Sequence, residues 1–313
     1  MEFRQLQYML MVADERSFSK AAQKLFIAQP SLSQYIGKLE QQLGIQLFNR
    51  SSKTPLTLTF AGELFAENAR RILDMRRKLQ IQMDEVIGCK QGRITIGISV
   101  ARSKLILPKI LPVFSEKFPG IQVNPVEGTL AELEDFAMKG VTDFSIVTLP
   151  INSPQFIIEP LYTEEYMLLL PANHRLSKNT RNCPPWPKIR LSDVLGDSFI
   201  LLPPGRGLRA IADQLFAKAG IQPRIILESK NIETLFALVA AGVGITLFTD
   251  VLQTLSIPFE FSQQVTYFAL ENPPPPKILA IAYREDRYQS QATREFISCI
   301  KEIFTVQKDA ATL

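Results

Sequence analysis

The hydrophobic periodicity of the chain changes near residue 90, and this change constrains the fold more than any other sequence feature. Before it, apolar residues recur every three or four positions, which is typical of amphipathic helices. After it, short apolar runs alternate with helical patterns, which is typical of an α/β domain. The sequence therefore predicts a helical N-terminal region followed by a larger α/β region.

The composition excludes several classes of protein. The 313 residues are 46% hydrophobic with a formal net charge of +4, which indicates a folded chain and not a disordered one. The longest uncharged apolar stretch, residues 234–249, is shorter than the roughly 20 residues of a membrane span. No signal-peptide pattern opens the chain, so we expect a cytoplasmic protein without membrane contact. Three scattered cysteines and the single His174 give no basis for a disulfide framework, a metal site or a cofactor.

The excess positive charge lies at the N-terminal end. Residues 1–58 carry a net charge of +3, residues 59–90 carry +1, and residues 91–313 are neutral. A charge of +3 is too small to indicate nucleic-acid binding by itself. The placement of the residues therefore decides the interpretation.

Residues 3–43 predict three helices. Ser17 and Ser19 are candidate caps of the second helix, Pro30 opens the third, and Gly44 ends it. On the third helix an apolar stripe is expected to pack inward; it comprises Leu32, Ile36, Leu39 and Leu43. The opposite side is small, polar and uncharged, which suits contact with base edges. A plain solvated helix explains this face equally well.

Two short β-type runs, 45–50 and 56–59, flank a polar and basic turn. A hairpin with Arg50 and Lys53 near its tip forms a wing that reaches phosphates or a minor groove. Residues 1–58 are therefore predicted to be an all-α winged helix-turn-helix DNA-binding domain.

This region resembles the LysR-type transcriptional regulators. About twenty positions match in fixed register, including Phe18–Ala22, Gln29–Ser33, Leu43-Gly44 and Ala61-Gly62. The resemblance implies DNA recognition by the third helix. The predicted DNA-binding residues are Gln29, Pro30, Ser31, Ser33, Gln34, Lys38, Arg50 and Lys53. Many members carry Arg in place of Gln34, and Gln favours adenine where Arg reads guanine.

Residues 59–90 predict one long linker helix, with Thr59 as its cap and Gly88 as its stop. Its apolar stripe is too long for the preceding domain to cover, so we expect pairing with a second copy. Packing on the chain's own C-terminal domain is the alternative. The resemblance agrees with pairing and implies a homodimer through the linker helix. A homotetramer, a dimer of dimers, is the expected larger assembly, and RNA polymerase is a candidate partner.

Residues 91–313 alternate between strand and helix patterns. The predicted strands are 94–98, 121–126, 144–147, 166–170, 198–202, 224–228, 244–248 and 278–283. The predicted helices are 105–117, 130–139, 207–219, 231–241 and 291–304. In such α/β sheets, ligands bind beyond the carboxyl ends of the strands.

The segments after these strands form a candidate effector pocket. Hydroxyl groups, glycines and three arginines there suit a small carboxylate or another anion, although each arginine is equally compatible with a solvated surface position. The predicted effector-binding residues are Ser99, Arg102, Ser103, Thr129, Thr148, Pro203, Gly205, Arg206, Arg209 and Phe248.

The resemblance extends more loosely through this half. It implies a periplasmic-binding-protein-like effector domain of two subdomains with an effector cleft between them. Subdomain I combines about 92–162 with 268–304, and subdomain II is about 163–267. The chain departs from the family pattern at Thr249-Asp250, where a proline is more usual.

The sequence therefore predicts a LysR-type transcriptional regulator that binds double-stranded DNA at a promoter or operator and is controlled by a small-molecule effector. One alternative is a soluble small-molecule-binding protein with an accessory helical module. Another is an α/β enzyme, but no nucleophile elbow, phosphate loop or metal-ligand spacing supports catalysis. No catalytic residue is predicted.

Overall fold

The computed structural model describes residues 2–49, 56–86, 91–151, 153–178, 180, 182–205, 207–250 and 263–310. The chain forms two compact units. Unit 1 comprises Met1–Gln91 and Asp286–Ser290, and unit 2 comprises Gly92–Glu285 and Gln291–Leu313. Within the described ranges, every helix is too short or too polar to serve as a transmembrane span.

Unit 1 is a winged helix-turn-helix that continues into a long helix, as the sequence predicts. Its helices are α1 (Phe3–Glu15), α2 (Phe18–Lys24), α3 (Gln29–Leu43) and α4 (Phe60–Val86). Its two strands, β1 (Phe48–Asn49) and β2 (Thr57–Leu58), pair antiparallel between α3 and α4.

Local sequence signals set the helix boundaries of unit 1. Ser17 Oγ accepts a hydrogen bond of 3.3 Å from the Lys20 amide and caps α2, and Gly44 ends α3 with a φ of 68°. Leu32, Ile36 and Leu39 are buried as predicted. The inward placement of Leu43 is wrong: its side chain is 39% exposed, because α3 ends there and the chain turns away at Gly44.

The segment Asp286–Ser290 belongs to unit 1 although it lies far along the chain. Arg287 Nη1 donates a hydrogen bond of 2.5 Å to Asp74 Oδ1, and the Tyr288 hydroxyl donates one of 2.7 Å to Glu85 Oε2. Both acceptors lie on α4, so this segment is fastened to the long helix by side-chain contacts.

Unit 2 has an α/β architecture. Its strands are β3 (Gln91–Ile98), β4 (Gly120–Glu127), β5 (Phe144–Thr148), β6 (Phe156–Glu164), β7 (Tyr166–Pro171), β8 (Lys188–Ile189), β9 (Ser198–Leu201), β10 (Arg224–Glu228), β11 (Thr246–Thr249), β12 (Val265–Leu270) and β13 (Lys277–Arg284). Its helices are α5 (Val100–Lys117), α6 (Leu130–Met138), α7 (Gly207–Ala219), α8 (Ile232–Ala240) and α9 (Gln291–Ala310).

The strands of unit 2 form separate sheets, which fits the predicted two-subdomain fold. One sheet has the order β4-β3-β5-β13-β6, a second has the order β11-β7-β12-β8, and β9 pairs in parallel with β10. The pairs β6 with β13 and β7 with β12 are antiparallel. The chain passes from the first sheet to the second between β6 and β7, next to Glu164 and Glu165.

Candidate DNA-binding and effector-binding sites

The outward face of α3 carries six of the predicted DNA-binding residues. Gln29, Pro30, Ser31, Gln34 and Lys38 are exposed, and Ser33 is half-buried. A Cβ added to Gly37 meets no atom within 4 Å, so the centre of this face is open. Amides and hydroxyls on an open helix face can donate to and accept from base edges in a major groove.

A buried carboxylate fixes the start of the wing relative to α3. Glu40 is 9% exposed, and its Oε1 accepts hydrogen bonds from the Leu47 amide at 2.8 Å and the Phe48 amide at 3.3 Å. The predicted phosphate contacts Arg50 and Lys53 lie outside the described residues. Glu40 was missed by the sequence analysis, because a glutamate near a helix end looks like a solvated charge.

The start of α4 also touches the wing. Thr59 Oγ1 accepts from the Gly62 amide at 3.0 Å, as the predicted cap requires, and donates to the Gln46 carbonyl at 2.8 Å. A Cβ added to Gly62 would stand 2.0 Å from the Leu47 carbonyl oxygen. Only glycine therefore allows α4 to approach the chain this closely.

Further along, α4 has an apolar stripe that the described residues leave exposed. Ala66 and Ala69 are buried against the helix-turn-helix core. Beyond them the stripe is exposed: Ile72 by 40%, Met75 by 65%, Leu79 by 57% and Met83 by 45%. These four residues follow each other at helical spacing and are called the α4 stripe below. Such a continuous apolar stripe is typical of a surface that pairs with another helix.

In unit 2, several predicted effector residues meet at the ends of strands. Ser99 is the N-cap residue of α5, and its carbonyl accepts from the Ser103 amide at 2.8 Å. Thr129 caps α6 in a capping box with Glu132. The Gly128 amide donates to the Ile98 carbonyl at 3.3 Å, which holds the ends of β3 and β4 together.

The other predicted effector residues differ in accessibility. Thr148 is the last residue of β5, which lies parallel to β3. Pro203 and Gly205 lie between β9 and α7, and Gly205 has a φ of 85°. Phe248 is 1% exposed and packs on Phe236 in the core.

The three arginines predicted to bind an anion have different surroundings. Arg209 is paired with Asp213 at 2.8 Å and with Glu228, and it also donates to the Leu202 carbonyl. Arg102 is paired with Glu164. Arg206 lies outside the described residues. The carboxylates around Arg209 leave little of its charge for a ligand.

The buried residues Arg102 and Glu164 belong to an ionic cluster that also contains the half-buried Lys277. Arg102 is 8% exposed and Glu164 is fully buried, and Arg102 Nη2 donates to Glu164 Oε1. Burial lowers the pKa of Lys277, while the nearby Glu164 opposes this shift and Arg102 adds to it. Glu164 and Lys277 were missed because each is a single charged residue beside a strand end, a pattern common on surfaces.

Asp250 holds the crossover between the two sheets by hydrogen bonds. Its Oδ2 accepts from the Tyr162 hydroxyl at 2.5 Å, and its Oδ1 accepts from the Glu165 amide at 3.0 Å. Burial and the neighbouring Asp250 raise the pKa of Tyr162, so this phenol stays a donor. An aspartate at this position therefore ties the end of β11 to the segment between β6 and β7.

Known families match both units. The sequence profile described as "Bacterial regulatory helix-turn-helix protein, lysR family" matches residues 3–63, and the profile described as "LysR substrate binding domain" matches residues 88–305. Together the two matched ranges cover almost the whole chain.

Individual proteins match over nearly full length. The uncharacterized HTH-type transcriptional regulator YcgK of Bacillus subtilis is 31% identical, with 96% of this chain and 94% of that protein covered. The hydrogen peroxide-inducible genes activator of Pectobacterium carotovorum is 31% identical, with 91% and 90% covered. The crystal structure of HinK, a LysR family transcriptional regulator from Pseudomonas aeruginosa, matches with a TM-score of 0.58 at 26% identity, over 97% of this chain and 98% of that one.

Proposed function

Since the chain belongs to the LysR family of effector-controlled, DNA-binding transcriptional regulators, we propose that α3 reads its operator in a major groove. The observation that carries this proposal is the open and polar face of α3, which is uncharged apart from Lys38. Gln29, Ser33 and Gln34 offer amide and hydroxyl groups to base edges, and Gln34 favours adenine. Pro30 and Ser31 allow a close approach at the start of the helix. Lys38, Arg50 and Lys53 are assigned to phosphates.

We further propose that two copies pair through the α4 stripe. Four exposed apolar side chains at helical spacing lose their contact with water when a second copy of α4 covers them. Pairing presents two α3 helices to half-sites separated by about one turn of DNA or a multiple of it. Association of two such dimers into a homotetramer, contact with RNA polymerase and a cytoplasmic location complete this proposal.

For unit 2 we propose a small, negatively charged effector beside the ends of β3, β4 and β5. The cap residues Ser99 and Thr129 and the end of β5 at Thr148 supply polar groups there, and Ser103, Pro203, Gly205 and Arg206 are assigned to the same site. An effector changes DNA binding only if it binds two arrangements of the regulator with different affinity.

The test is a gel-shift and footprinting experiment on the DNA that flanks the gene, using the full-length protein. We expect a protected, sequence-selective site whose occupancy falls as salt rises. Gln34→Ala should lower affinity and relax the base preference at one position of each half-site, at a cost of about 1–3 kcal/mol.

Gln214→Ala is the matched control, because Gln214 is an exposed glutamine on α7 of unit 2. It should bind the operator like the unchanged protein. Absence of a selective footprint, or equal effects of both substitutions, contradicts the proposed function.

A further inference from the structure

The cluster of Arg102, Glu164 and Lys277 draws its members from separate parts of unit 2. Arg102 lies in the first turn of α5, three residues after the predicted pocket residue Ser99. Glu164 ends β6, and Lys277 begins β13. The cluster therefore stands where two predicted pocket segments meet the crossover between the sheets.

The hydrogen-bonding capacity of the cluster is incompletely used. Arg102 Nη1 and Glu164 Oε2 are both buried and have no hydrogen-bond partner among the described residues. Leaving a buried charged group without a partner costs free energy, and most proteins satisfy such groups. The pair, which is joined through Arg102 Nη2 and Glu164 Oε1, therefore keeps one unused donor and one unused acceptor.

Lys277 is the third observation and points to an anion. In the described part of the chain it forms no ion pair or hydrogen bond, although it lies near Glu164 and Arg102. A Cβ added to Gly207 would stand 2.9 Å from Lys277 Nζ, so the ammonium lies against the first residue of α7. The N-terminus of a helix is itself positively polarised, so it repels this ammonium and attracts an anion.

The charges of the cluster limit the negative charge that a ligand can bring into the site. Arg102 and Glu164 neutralise each other, and Lys277 leaves one positive charge. Asp250, another nearby carboxylate, is engaged by the Tyr162 hydroxyl and the Glu165 amide. These hydrogen bonds leave the negative charge of Asp250 in place, so the two cations and the two carboxylates sum to zero without a ligand. A ligand with one carboxylate group therefore adds a single negative charge at a buried position, whereas a dicarboxylate adds two.

We propose that Lys277, Arg102 and Glu164 bind the effector, and that the effector is a small monocarboxylic acid with a hydroxyl group near its carboxylate. The carboxylate accepts from Lys277 Nζ, Arg102 Nη1 and the N-terminus of α7. The hydroxyl group donates to Glu164 Oε2. This assignment rests on the proposed function, in which unit 2 is an effector domain, and adds the chemical class of the effector and the residues that select it.

The experiment measures binding to the full-length protein by isothermal titration and thermal shift. The probes are two matched series: propionate, lactate and lactamide, and phenylacetate, mandelate and mandelamide. We expect at least one hydroxy acid to bind more tightly than its unhydroxylated partner, and neither amide to bind. Binding of no probe, or equal binding of the acid and the amide, overturns the proposal.

Variants test the individual residues. Lys277→Gln should weaken binding of the hydroxy acid by about 10-fold to 100-fold, which is the usual effect of losing one charge-assisted hydrogen bond. Gly207→Ala should also weaken it, because the new methyl group displaces the ammonium without altering any charge. Glu164→Gln should reduce the preference for the hydroxylated acid over its partner.

Lys104→Gln is the matched control for Lys277→Gln, since Lys104 lies on α5 near Arg102 but its side chain is half-exposed and paired with Glu233. It should bind the probes like the unchanged protein. Unaltered binding by a folded Lys277→Gln variant overturns the proposal, and so does equal weakening by Lys104→Gln.

The same preparations are tested for operator binding by gel shift. Selective DNA binding without carboxylate binding overturns this inference alone, whereas loss of selective DNA binding in the unchanged protein overturns the proposed function.

Discussion

The outward face of α3 and the cluster around Glu164 use polar side chains in opposite ways. On α3 the groups are exposed, or half-buried at Ser33, and they are uncharged apart from Lys38, so water reaches them before DNA arrives. In the cluster all groups are charged, Arg102 and Glu164 are buried and Lys277 is half-buried, and two atoms lack partners among the described residues. Exposed groups are replaceable at little cost to folding, whereas buried charges couple binding to the stability of the unit.

The largest effect that tests this contrast is on folding. Arg102→Ala leaves the Glu164 carboxylate buried without its partner, and should lower the free energy of unfolding by about 3–5 kcal/mol. Gln34→Ala on the exposed face should change it by less than about 0.5 kcal/mol. Urea denaturation of the full-length variants measures both values.

Replacing both members of the pair with apolar residues, as in Arg102→Met with Glu164→Leu, is the control. It should restore much of the lost stability, because no unpaired charge stays buried. If the Arg102→Ala and Gln34→Ala variants have the same free energy of unfolding, the polar groups of the two regions do not differ in their contribution to folding.

A second prediction concerns the pairing through α4 that presents two α3 helices to the DNA. Leu79→Glu places a charge in the α4 stripe and should convert the dimer to monomers, as light scattering measures. Affinity for an operator with two half-sites should then fall by about 100-fold or more, because the second contact is no longer intramolecular. Gln80→Glu, one residue along the same helix, should leave mass and affinity unchanged. A dimeric Leu79→Glu variant contradicts pairing through this stripe.

The same contrast explains how much of the molecule could be predicted. The α3 face follows from local periodicity, and the caps at Ser17, Thr59 and Gly44 follow from residue type. The ionic cluster joins residues more than 60 positions apart, so no local pattern reveals it.

The strands β6 and β12 and the helix α5 of unit 2 differ from the prediction. Strand β6 contains Pro160, which normally argues against a strand, but β6 lies at the edge of its sheet, where a missing amide is tolerated. The prediction of α5 from residue 105 begins too late, because the segment 99–103 was assigned to the pocket that follows β3, whereas α5 already starts at Val100. Strand β12 has β-forming residues (VTYFAL), and the prediction simply omits it.

Alanine substitutions at two glycines of unit 1 should have smaller effects on the free energy of unfolding, and the two effects should have opposite signs. Gly37→Ala should raise the free energy of unfolding by about 0.5–1 kcal/mol, because alanine favours helices and the site is open. It should nevertheless weaken operator binding, since the methyl group separates α3 from the groove. Gly62→Ala should lower stability by about 1–3 kcal/mol through its clash with the Leu47 carbonyl. Thermal unfolding and gel shifts measure both, and tighter DNA binding by Gly37→Ala contradicts the assigned face.

The smallest effect is a pH dependence that comes from Lys277. Burial lowers the pKa of this ammonium in the folded protein, so the unfolded chain holds the proton more firmly. Stability therefore rises with pH between the lowered pKa and the unperturbed value of about 10.4. The Lys277→Gln variant lacks this rise. The difference in the free energy of unfolding between the unchanged protein and the variant should therefore change across that pH interval, as urea denaturation measures. A bound carboxylate stabilises the charged ammonium and should suppress this rise in stability with pH. An exposed lysine on α3 should show neither the rise nor its suppression.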